Sequence, residues 1–91
     1  SIAENQVFIS NFNLFPNPSN GVVQVELSLL EKEAMTLQVL NSTGQIILQQ
    51  SYGKNDHFKE AIDLNDFPNG VYFIKITANQ HSINRKLIKI N

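Results

Sequence analysis

Apolar and polar residues alternate with a period of two along most of this chain. Val23, Val25 and Leu27 are separated by Gln24 and Glu26, and Leu37 and Val39 are separated by Gln38. That period places successive side chains on opposite faces of a strand, so each segment predicts a half-buried β-strand. Ile46-Ile47-Leu48 opens a third run, and Phe58, Ile62 and Leu64 mark a weaker one with Glu60 on the same face. Val71–Thr77 is the strongest strand signal, with Tyr72, Ile74 and Ile76 on one face. A short strand at Phe12–Phe15 precedes these, and Arg85–Ile90 follows them with Ile88 and Ile90 facing inward. About seven strands at ten-residue spacing predict an all-β antiparallel sandwich of the immunoglobulin-like kind. Its expected core includes Val25, Leu37, Val39, Ile46, Tyr72, Ile74, Ile76 and Ile88. Leu29–Met35 has good helix propensity but is too short to be stable alone. It reads as a connection carrying at most one helical turn.

Turn chemistry punctuates the strands. In Asn41-Ser42-Thr43-Gly44 the first side chain can bond forward and Gly44 can take positive φ, which gives a type I turn running into a glycine bulge. This local role also accounts for the glycosylation-like triplet Asn41-Ser42-Thr43. In Phe67-Pro68-Asn69-Gly70, Pro68 presets φ, and Asn69 or Gly70 accepts the left-handed region. Pro16 and Pro18 stop the first strand, and Gly21 releases the chain into the next. Residues 1–11 read as the end of a linker, with Val7, Phe8 and Ile9 available for an edge strand, and residues 12–91 read as the domain.

Composition narrows the function classes. Ninety-one residues with 42% hydrophobic content suffice for one small packed domain, and a net charge of −1 gives no general attraction to nucleic acid or anionic membrane. The charge is nevertheless polarised. Residues 1–66 hold all eight acids against three lysines, for −5, whereas 67–91 hold Lys75, Arg85, Lys86 and Lys89 and no acid, for +4. With no cysteine, disulfides and thiolate chemistry are excluded. The first residues lack a basic-then-apolar leader pattern, and the sequence reads as a module cut from something longer.

Chemistry-bearing constellations are missing. His57 and His81 lie in polar segments expected to be connections, with no nucleophile motif beside them. No metal-ligand spacing or phosphate-cradling glycine cluster occurs, so the expectation is no enzyme, no cofactor and no metal. Tyr52 is the one loosely placed aromatic that could serve as a sugar platform. Six Phe, two Tyr and no Trp otherwise read as packing.

Taken in order, the turn segments resemble one family. Leu14–Gly21, with Pro16, Asn17, Pro18 and Gly21, resembles the opening motif of type A C-terminal sorting domains of the type IX (Por) secretion system. Val39–Ile47, with Asn41 and Gly44, is similar to the central motif of that family. Ile62–Ile76, with Gly70 and Tyr72, is similar to its third motif, and Lys86–Ile90, with Lys86 and Lys89, to its closing strand. The departures are Phe15 where Tyr is common and Phe67 where Leu is common.

This resemblance implies a β-sandwich that performs no chemistry and acts as a delivery signal. The parent would reach the periplasm by a separate signal peptide, and the type IX machinery would carry it over the outer membrane. A sortase would then cut near or before residues 1–11, for surface attachment or release. The implied partners are that machinery, its sortase and a cargo in the same chain, with no nucleic acid, no membrane insertion and a monomeric state. The recognition candidates are Pro16, Asn17, Pro18, Gly21, Asn41, Gly44, Gly70, Tyr72, Lys86 and Lys89. Lys86 and Lys89 are favoured as direct contacts because neither turn nor core requires them. The alternative class is a carbohydrate-binding or adhesive sandwich, which needs an exposed aromatic strip.

Overall fold

The computed structural model describes residues 9–16, 21–78 and 80–90. These form five antiparallel strands: β1 Ile9–Phe15, β2 Val22–Asn41, β3 Ile46–Asp63, β4 Gly70–Ala78 and β5 His81–Lys89. The all-β, antiparallel expectation holds. The count of seven does not, because two pairs of expected strands are each one continuous strand. Leu29–Met35 is the middle of the 20-residue β2, not a connection with a helical turn. The segments before and after it pair with the same neighbour, β3, and within it Leu29 pairs with Ile9 and Glu33 with Asn55, so the chain stays extended between its two paired flanks.

β2 and β3 make a long bent hairpin, with register shifts between Ser28 and Glu33 and between Glu33 and Met35. The buried positions of β2 stay odd-numbered across the bend, from Val23 through Leu29 and from Met35 through Val39. One face of β2 therefore looks inward on both sides of the corner. β1 pairs with the first half of β2, Leu14 opposite Val25, and β4 pairs with the second half, Leu37 opposite Ile76. Since β3 keeps one edge of β2 throughout, β1 and β4 share the other edge. β5 pairs with β4. The result is one curled five-stranded sheet closed over its own concave face, rather than seven strands in two separate sheets. Curling brings β5 to β1 without pairing them, and the Arg85 guanidinium lies 5.1 Å from the centre of the Phe12 ring.

The concave face is the core. Val23, Val25, Leu27, Leu37, Val39, Leu64, Ile74, Ile76 and Leu87 are almost wholly buried, each worth roughly 1.5–3 kcal/mol relative to exposure. Of the expected core, Val25, Leu37, Val39, Tyr72, Ile74 and Ile76 are buried as anticipated. Ile46 is not, at 48% exposed. A register shift after Val39 sets Leu48 opposite Val39 but Ile46 opposite Leu40, on the convex face. Ile88 is only half-buried and Ile90 is exposed. Pairing of Leu87 with the buried Tyr72 turns the odd-numbered residues of β5 inward instead. Among the described residues no helix is long and apolar enough to cross a membrane.

Candidate functional site

Two turns and the residue that leads into β2 are brought together by the pairing of Asn41 with Tyr72 and of Gly70 with Lys89 and by the bond between Leu64 and Gly21. The first is Asn41–Gln45. The Asn41 side-chain oxygen accepts from Thr43 N at 3.1 Å, Thr43 Oγ1 at 2.8 Å and Gln45 N at 2.9 Å. Its amide donates to Gln45 Oε1 at 3.2 Å. Gly44 N donates to Asn41 O at 3.0 Å, and Gly44 sits at φ +87°, which only glycine adopts without strain. Asn41 is therefore the clamp of its own turn, with both ends of its amide engaged.

The second turn joins β3 to β4. Tyr72, buried on β4, donates its hydroxyl to the carbonyl of Pro68. Lys89 is buried to 3% exposure at the end of β5, and its ammonium donates to Asn69 Oδ1 at 3.1 Å. Register places Gly70 opposite Lys89 and Asn41 opposite Tyr72. Four of the sequence candidates, Asn41, Gly70, Tyr72 and Lys89, thus meet around one loop. Sequence reasoning missed Asn69, and took Lys89 for a contact that core and turn did not need. The structure gives it both roles. Lys86 lies on the opposite face of β5 and is exposed opposite Phe73.

The third element is Gly21, which leads into β2. Its carbonyl accepts from Leu64 N at 2.6 Å, tying the start of β2 to the end of β3. Gly21 is buried at φ +142°, with the side chain of Asn65 where a Cβ would project. Pro16, at the end of β1, is exposed, whereas Asn17 and Pro18 lie outside the described residues. A tyrosine just past a turn glycine, bonded back to a carbonyl four residues upstream, is a recurrent corner device of β-sandwiches and was readable in principle. Nothing in the sequence alone pointed to the Lys89–Asn69 bond.

The remaining chemistry-bearing groups are dispersed. His57 is in β3 and shares a 3.1 Å hydrogen bond with Ser28 Oγ, and His81 opens β5, so both histidines belong to strands and not to connections. Among the described residues no three His, Cys, Asp or Glu side chains are grouped to hold a metal ion. Tyr52 does not present an open platform, because its ring stacks on Phe58 with centroids 4.5 Å apart and planes 13° from parallel.

The Tyr52 hydroxyl is buried, and the Glu60 carboxylate approaches it without completing a hydrogen bond of normal geometry. Burial, then the negative charge of Glu60, pushes the Tyr52 pKa from 10 up to about 12. The fold therefore holds the proton more tightly than the unfolded chain does. The associated stability is complete below pH 10 and is lost as pH rises from 10 to about 12. The melting temperature should fall over that window, and Tyr52→Phe should flatten the decline. An equally steep fall in Tyr52→Phe would reject the assignment.

A family model described as the secretion system C-terminal sorting domain matches residues 13–91. No curated protein matches the chain.

Proposed function

The chain belongs to the family of type IX secretion C-terminal sorting domains, and we propose that this group of turns presents the signal to the secretion machinery. The family match over residues 13–91 carries the sorting assignment, which implies export to the cell surface or extracellular space. The family is not an enzyme family, and the domain acts as a handle for a cargo in the same parent chain. Export passes through the periplasm, and a sortase then severs the handle near or before residues 1–11, leaving the cargo anchored or released. The domain works as a monomer.

Within the candidate set, exposure separates two roles. Pro16, Gly44 and Lys86 are exposed and able to touch a receptor. Gly21, Asn41, Gly70, Tyr72 and Lys89 shape the turns that carry the surface. Loops held by a rigid sheet are the usual place for such a surface.

A secreted passenger fused ahead of residues 1–91 tests this in a type IX-competent host. The fusion should reach the surface or medium, and the passenger lacking the chain should stay inside. Lys86→Glu should weaken export by altering charge complementarity with a receptor, while shifting stability by no more than about 0.5 kcal/mol. Equal retention of the passenger with and without the chain would sink the sorting reading. Normal export of Lys86→Glu would remove only that lysine from the surface.

A further inference from the structure

The buried ammonium of Lys89 is the least expected group in the molecule. It lies on the inward face of β5, with Ile83, Arg85 and Leu87 at the same phase, and it is the one charged residue among the buried side chains described. A charge withdrawn from water needs a partner to be tolerated, and the oxygen within bonding distance here belongs to Asn69, an exposed residue of the β3–β4 turn. One residue earlier, the carbonyl of Pro68 takes the Tyr72 hydroxyl. Two successive residues of one turn are therefore gripped from beneath, one by β4 and one by β5.

We propose that Lys89 is a positioning residue: it does not touch the secretion machinery but fixes the Phe67–Gly70 turn, so that this turn takes its recognised shape only when the last strand is docked. The consequence is a check on folding. A domain whose β5 has not joined β4 lacks the Lys89 grip on Asn69, and its turn is not held for reading. The proposal rests on the sorting reading above for its export arm only, because the grip itself can be measured in the isolated chain.

Lys89→Met separates the grip from the fold. Methionine keeps an unbranched apolar stem, and replacing a buried charge by an apolar side chain of similar volume is often neutral or stabilising. Asn69→Ala removes the same bond from the exposed side. Asn69→Asp keeps an oxygen for the ammonium and serves as the conservative rescue. The amide of Phe67, which donates to Leu64 O at 3.0 Å, reports on the turn by hydrogen exchange. At a temperature where every variant is fully folded, Phe67 exchange should accelerate at least tenfold in Lys89→Met and in Asn69→Ala. It should accelerate no further in the double variant, and amides at the centre of β2 should not change. Export of the fused passenger should fall at least fivefold in both single variants and recover in Asn69→Asp.

Unchanged Phe67 exchange in Lys89→Met would overturn the proposal. So would blocked export in Lys89→Met beside normal export in Asn69→Ala, since Lys89 would then be read directly. Retention of the unaltered fusion would reject the sorting reading alone, and the exchange result would still decide whether Lys89 holds the turn.

Discussion

Lys89→Glu should lower the urea midpoint far more than Lys86→Glu. The two lysines are three residues apart on one strand, yet Lys86 is exposed and Lys89 is 3% exposed with its ammonium on Asn69 Oδ1. A glutamate at position 89 reaches one bond less far than lysine. Even if the Asn69 amide turned its NH2 group inward, the carboxylate would stop short of the 3.1 Å contact that lysine makes. The site would then hold a buried, unpaired negative charge, which costs about 3–5 kcal/mol. A domain of this size has roughly 5–13 kcal/mol in total, so the loss is a large share of the margin. Urea denaturation of the two single variants checks this, and coincident midpoints would reject the buried position of Lys89. The same difference shows why reversing both lysines together cannot identify a receptor contact. Because Lys89 is buried, lost export in such a double variant would report a destabilised domain.

Gly21→Ala should cost about 2–4 kcal/mol, from two causes that can be separated. The first is conformational, because φ +142° is a region that side chains with a Cβ rarely occupy. The second is steric. A Cβ at this position would lie 2.1 Å from Asn65 Oδ1 and 2.8 Å from Asn65 Cγ, so the asparagine must move. Moving it disturbs the segment whose Leu64 amide is bonded to Gly21 O. In an Asn65→Gly background the steric part disappears and the conformational part stays, so the cost of Gly21→Ala should fall by about 1 kcal/mol and not vanish. Denaturation midpoints of the four proteins measure both parts. If Gly21→Ala melts with the parent, the packing of Gly21 against Asn65 is wrong.

The sequence by itself determined what depends on neighbours along the chain. Alternation at Val23–Leu27, Leu37–Val39 and Tyr72–Ile76 fixed which residues face the core, since a strand sends successive side chains to opposite faces and those stretches offer one apolar set. Asn41 and Gly44 announced their turn because its side-chain hydrogen bonds and positive φ are local. The order of these motifs was also enough to indicate the family, which the match over residues 13–91 bears out. Only the tertiary structure decided the rest. Leu29–Met35 could be strand or turn by propensity, and it became strand because the stretches on both sides of it pair with β3. In Leu87-Ile88-Lys89-Ile90 both faces offer apolar residues, so alternation cannot choose between them. Pairing of Leu87 with Tyr72 made the choice, and with it put Lys89 inside and Ile90 outside. The grip of Lys89 on Asn69 spans 20 residues of sequence. A contact of that range exists only once two strands share a register, and no local pattern of residues encodes it.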